Sequence, residues 1–123
     1  MSDSPAPPVL VLCRDLIFAT KISGTANALG VRVKMIRDPA KLGGEAGGKL
    51  IADLNLDGAI AAAQAWKTAT GGGVVGFVSH ADAQTIASAR TAGIDQILAR
   101  SQFVQVLPDL LQKASGTADA QGG

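Results

Sequence analysis

The sequence predicts an open α/β fold, a five-stranded parallel sheet with helices on both faces in three layers. Three observations carry this. Short continuous apolar runs recur along the chain, namely Val9-Leu10-Val11-Leu12, Leu50-Ile51-Ala52, Val74-Val75-Gly76-Phe77-Val78 and Ile97-Leu98-Ala99. Such runs mark strands buried on both faces, and helical patterns alternate with them. Each run also ends in polar residues: Cys13, Arg14 and Asp15 after the first, Asp53-Leu54-Asn55 after the second, Ser79-His80 after the third and Arg100 after the last. The carboxyl ends of parallel strands line the crevice where open α/β sheets bind ligands. Cys13, Arg14, Asp15, Asp53, Ser79 and Arg100 are therefore expected around one small site.

Taken in order, residues 1–8, rich in Pro and Ser, read as a flexible leader, and residues 115–123 as a flexible tail. One domain, 9–114, lies between them. The first strand is 9–12. The first helix, 15–29, places Ala19, Ile22, Ala26 and Leu29 on one face, and Gly30 supplies its stop. A second strand at 31–36 ends at Asp38-Pro39. The stretch 39–49 holds Gly43, Gly44, Gly47 and Gly48. Each glycine inside a helix costs roughly 1 kcal/mol relative to Ala, so a helix here is expected to be short or distorted, about one turn.

The third strand is 50–54. An Ala-rich helix at 57–70 is closed by Gly71-Gly72-Gly73. The fourth strand is 74–78, and the helix 82–92 is stopped by Gly93. A fifth strand follows at 95–99. Ser101 can cap a last helix running to about Lys113. Pro108 lies inside that pattern. A mid-helix proline costs about 3 kcal/mol unless the helix kinks or begins there, so a break is expected near residues 104–107.

Composition narrows the function classes. At 123 residues the chain is long enough for one sizeable core. Aromatics are only 3%, three Phe and one Trp, so Ala, Val, Ile and Leu must fill the interior. Lys and Arg total 11 against 10 Asp and Glu, with no basic stripe or aromatic platform, which argues against nucleic-acid binding. The single Cys excludes an internal disulfide and fits a reducing compartment. No signal pattern or membrane-length run is present, so a cytoplasmic protein without membrane contact is expected.

The residues resemble the receiver domain of bacterial two-component response regulators, over nearly all of 9–113. Asp53-Leu54-Asn55-Leu56 is similar to that family's phosphoacceptor segment. Phe77-Val78-Ser79-His80 resembles its fourth strand ending in a hydroxyl residue. Gly93-Ile94-Asp95-Gln96-Ile97-Leu98-Ala99-Arg100 resembles its fifth strand, with the family's lysine replaced by Arg100. The resemblance implies the CheY-like (flavodoxin-like) strand order 2-1-3-4-5. It also implies two adjacent carboxylates after the first strand. Those positions align with Cys13 and Arg14, and Asp15 follows one residue late.

Several of these residues carry two readings. Asp53 could attack a phosphoryl group if Mg²⁺ neutralised the approaching charge, or it could be a silent carboxylate paired with Arg14 or Arg100. Asp15 could point into the pocket or cap the first helix. Ser79 and Arg100 fit the family's switch pair in position, although Arg is no conservative replacement for Lys. Cys13 is either a thiol activated by Arg14 or a small buried strand-end residue. His80 is the only histidine, which makes zinc improbable; it is expected in a solvated loop, with a role at the pocket mouth as the alternative. Trp66 is expected to pack.

Gly43-Gly44-Glu45-Ala46-Gly47-Gly48-Lys49 has the spacing of a phosphate-binding loop, but Leu50 follows where Mg²⁺ binding needs Ser or Thr. The loop also leads into a strand, whereas the mechanism needs a helix N-terminus.

The expected function is a stand-alone pseudo-receiver, an adaptor that binds a signalling protein, not an enzyme, with output left to a separate protein or a dimer. It would need no cofactor. The first alternative is a single-domain response regulator phosphorylated on Asp53 by a histidine kinase, with Mg²⁺ as cofactor. The second is a small-molecule-binding flavodoxin-like module. The expected partner surface draws on Gln84, Ser88, Thr91, Gln96, Gln102, Gln105 and Asp109, where a weak homodimer and a plain monomer stay open.

Overall fold

Continuous apolar strands have no polar face to show to water, so they need cover on both sides. In the computed structural model, which describes residues 7–80 and 82–115 with side chains through Gln112, β1 (Val9–Leu12) is buried along its whole length. It sits between β2 (Val33–Ile36) and β3 (Lys49–Asp53). β4 (Gly73–Val78) and β5 (Gln96–Ala99) complete a parallel sheet of order β2-β1-β3-β4-β5. The pairings Leu12↔Ile36, Leu12↔Ala52, Asp53↔Phe77 and Val78↔Ala99 bring the strand ends to one edge. The expected leader and tail lie outside the described residues except for Pro7, Pro8 and Ser115.

Alternating side chains divide the interior into two cores. On one face Val9, Val11, Ile51, Val75 and Phe77 meet α1 (Leu16–Leu29) and α4 (Arg100–Ser115). Phe18, Phe77 and Phe103, all the phenylalanines of the chain, meet there. Ring centroids lie 4.9 Å apart for Phe18–Phe77 and for Phe77–Phe103. On the other face Leu10, Leu12, Leu50, Ala52, Val74 and Val78 meet α2 (Ala59–Thr70), Leu42 and Ala89 of α3 (Ala83–Thr91). Gly76 of β4 is required by a close approach: a Cβ there would overlap the Leu54 side chain, which seats the loop after β3.

Several boundaries depart from expectation for local reasons. β2 begins at Val33, because Val31 N–H donates to Ala26 O and belongs to the left-handed Gly30 cap of α1. Between β2 and β3 the chain forms only a turn of 3-10 helix, Pro39–Lys41, capped by Asp38. The glycines after it make an open clasp, in which Trp66 Nε1–H donates to Glu45 O at 3.0 Å and Lys34 pairs with the Glu45 carboxylate at 2.7 Å. The phosphate-loop spacing is thus a structural connection into β3. α2 starts at Ala59, two residues later than expected, behind a left-handed Gly58.

The expected break before Pro108 does not occur: α4 runs unbroken from Arg100, with Pro108 inside it and Ser101 within its first turn. Phe103, Leu107, Leu110 and Leu111 are buried along the inner face of this helix. Each such burial is worth about 1.5–3 kcal/mol, which together outweighs the roughly 3 kcal/mol cost of the proline. Pro108 itself is exposed, so no packing is lost with its ring. Pro108→Ala should therefore stabilise the fold by roughly 1–3 kcal/mol, read as a raised midpoint in urea at unchanged slope.

Candidate functional site

The crevice at the carboxyl edge of the sheet is organised by the turn after β1. Cys13 N–H donates to Ile36 O at 3.0 Å, holding the strand end in register. Asp15 then caps α1, its Oδ1 accepting from Phe18 N–H at 3.1 Å. Its other oxygen, Oδ2, accepts from Arg100 Nη2 at 2.9 Å. The two sequence readings of Asp15 thus merge: it is a cap that also reaches the crevice.

Arg100, the first residue of α4, spans the site. Its Nη1 donates to Ser79 Oγ at 3.0 Å, and its guanidinium lies 3.9 Å from the Phe18 ring centroid. A planar fork that lies over an aromatic face while bridging two oxygens is a geometry that lysine cannot reproduce. Arg100 holds the Asp15 carboxyl below the usual carboxylate range, and the Phe18 N–H acts in the same direction.

Asp53 is half-buried at the end of β3. The expected pairing with Arg14 or Arg100 is not formed. Arg100 is turned to Asp15 and Ser79, and Arg14 is exposed. Among the described residues Asp53 makes no ion pair; its Oδ1 accepts from Asn55 N–H at 3.0 Å. Burial pushes its carboxyl above the usual 3.8; the Asn55 hydrogen bond and the charge of Arg100 offset this in part, and Asp15 adds to it. Cys13 is buried and its S–H points to Asp15 O at 3.7 Å. Burial raises its pKa, which favours the structural reading over an activated thiolate.

Asn55 is the site residue that sequence reasoning passed over. Its Oδ1 accepts from Ser79 N–H at 2.7 Å and His80 N–H at 2.9 Å, while its Nδ2 donates to His80 O at 2.9 Å. One amide thereby fixes the loop after β4. No local signal marked it, because the partners of its side chain lie 24 and 25 residues along the chain. His80 is exposed and Trp66 is buried, both as expected. Of the expected partner face, Gln84, Ser88 and Thr91 line a groove against α2. Gln102 Oε1 accepts from Ala99 N–H at 3.4 Å.

Mg²⁺ is a hard ion held by carboxylates, carbonyls and water; Asp53 offers one carboxylate, but the positions after β1 fit the ion poorly. Cys13 offers a protonated thiol, Arg14 offers no donor, and Asp15 is engaged by Arg100 and Phe18. Among the described residues no cluster of three His, Cys, Asp or Glu could hold a metal. The arrangement suits a charge network closed on itself.

Because burial raises the folded pKa of Asp53 above its ordinary value, its ionisation costs stability as pH rises through that window, and costs nothing below it. Asp53→Asn keeps the acceptor for Asn55 N–H and removes the charge. It should be more stable than the parent at neutral pH and lose that advantage below about pH 3, measured by urea denaturation across pH. Arg100→Ala should return the Asp15 carboxyl toward its usual range, measured by carboxyl carbon shifts in an NMR titration; an Asp15 that titrates as before would exclude the bridge.

No protein-family model matches the sequence, and no curated protein matches it. Solved structures do. A response regulator from Thermotoga maritima superposes at a TM-score of 0.71 with 14% identity, over 91% of this chain and 99% of that one. The phosphorylated cyanobacterial phytochrome response regulator RcpA gives 0.75 and 14%, over 92% and 96%. A CheY-like receiver domain protein from Methanospirillum hungatei JF-1 gives 0.73 and 13%, over 89% and 96%. At these identities the likeness is one of architecture: the chain has the CheY-like fold, five parallel strands in the order 2-1-3-4-5.

Proposed function

We propose that this chain is a receiver-like signalling module that works by binding another protein, without Mg²⁺-dependent phosphoryl transfer. The observation that carries the reading is the Arg100 bridge. The guanidinium is already shared between Asp15 and Ser79 and stacked on Phe18. A phosphoryl group on Asp53 would have to break these contacts to recruit Arg100 and Ser79, and Cys13 and Arg14 after β1 supply no carboxylate to help hold Mg²⁺. The Ser79 and His80 N–H groups beside the crevice are likewise taken by Asn55. The site is built to hold one arrangement, and signalling output then depends on which protein the surface binds.

The second reading is phosphorylation of Asp53 by a histidine kinase. It is favoured by the placement of Asp53 at the end of the central strand, where only one hydrogen bond engages its carboxylate among the described residues. The RcpA structure with the same fold is described as phosphorylated.

Addition of Mg²⁺ and then Mg²⁺ with beryllofluoride, followed by amide NMR, separates the two. The first reading expects no saturable change at Asp53, Ser79 or Arg100 at millimolar Mg²⁺. Saturable, localised shifts at those three residues would replace it with the second.

A further inference from the structure

We propose that the groove between α2 and α3 receives a helix of a partner protein, seated so that a basic residue in that helix's last turn lies against Asp57 and Asp82. This rests on the protein-binding reading above and names the surface and the chemistry of the partner. The groove holds about 950 Å³. Its α3 wall runs from Gln84 to Thr91, which at 1.5 Å per residue is roughly 10 Å, about two helical turns.

Three independent features point to a helix. The walls carry small residues, Gly58 and Ala61 on one side and Ala87 and Ser88 on the other, so a helical backbone can approach closely. Leu56 and Ile60, both half-buried, add apolar surface, the usual setting for an amphipathic helix in a groove. α3 is also under-packed against its own protein. It buries one residue, Ala89, whereas α1 and α2 bury three each.

Charge selects the partner. The ionisable lining groups are Asp57, Asp82 and His80, and no Lys or Arg lines the groove. Among the described residues neither aspartate is in an ion pair. Asp82 caps α3 through Thr85, whose N–H and hydroxyl donate to it at 2.8 Å. Both aspartates lie at the N-terminal ends of α2 and α3. A helix running opposite to these two places its C-terminal turn there, where basic side chains are favoured by its own dipole and complement the carboxylates. The mouth is preorganised, since Asn55 clamps the loop carrying His80, which lowers the ordering cost of docking.

The test uses the full chain, ¹⁵N-labelled, and two synthetic amphipathic Ala/Leu helical peptides that differ only in carrying Lys or Glu in the last turn. The Lys peptide is expected to shift amides confined to residues 54–64 and 82–92. The Glu peptide is expected to bind about tenfold more weakly, equivalent to about 1.4 kcal/mol. Asp57→Asn should narrow that difference, and Ser88→Arg, at an exposed position, should abolish binding while leaving the thermal midpoint near that of the parent.

Equal binding of the two peptides, shifts on α1 or α4 instead, or no shift at any concentration reached would each overturn the assignment. So would concentration-dependent shifts of the groove without peptide, which would give the surface to a second copy. The Mg²⁺ and beryllofluoride response is read at Asp53, Ser79 and Arg100. A groove that fails while that response stays silent removes only the groove, and a positive response with a binding groove removes only the phosphotransfer-free reading.

Discussion

The Arg100 bridge at the carboxyl edge rests on the cluster of phenylalanines beneath it. Phe18, Phe77 and Phe103 come from α1, β4 and α4, and their contacts lock those three elements together on one face of the sheet. Arg100 lies on the Phe18 ring. The guanidinium is therefore positioned by core packing as well as by its polar partners. This matters because half-exposed ion pairs contribute only about 0–1 kcal/mol alone. The bridge from Asp15 to Ser79 is ordered because the aromatic face below it has removed much of the arginine's freedom.

The two carboxylates near this bridge are driven in opposite directions. Asp15, with Arg100 and the helix N-terminus beside it, is held as a stable anion. Asp53, half-buried without a direct cation, is pushed toward its neutral form. A pair of acids separated in this way often marks distinct chemical roles. Here one role is visibly structural, since Asp15 joins α1 to α4 through Arg100. Asp53 retains the exceptional environment, its carboxylate held, among the described residues, by the backbone of its own turn.

The opposite face of the sheet is built by different means. Trp66 packs there and hydrogen-bonds to the glycine-rich clasp, which follows the single helical turn expected between β2 and β3. The α2 side is thus closed firmly around Leu42 and Trp66. The α3 side contributes little beyond Ala89 and is left with an open groove. Asn55 connects the halves of the molecule, since it bonds to Asp53's turn and to the loop that lines the groove.

The strands were legible in the sequence because parallel strands buried on both faces leave uninterrupted apolar runs, and their polar ends named Cys13, Arg14, Asp15, Asp53, Ser79 and Arg100 as neighbours of one edge. The glycines of 43–48 likewise announced that no regular second helix would form. Local pattern could not decide pairings. Arg100 is 85 residues from Asp15, and whether it would turn to Asp15 or to Asp53 depended on the position of the Phe18 ring, a property of three packed elements. Nor could it weigh Pro108, whose local cost is fixed by its ring but whose tolerance depends on how many α4 side chains the core accepts. Asn55 was hidden for the same reason: its function is a set of bonds across 24 and 25 residues of chain. Composition and periodicity determine which segments must be buried. Only the closed packing determines which polar groups then face each other, because those distances are set by the whole core at once.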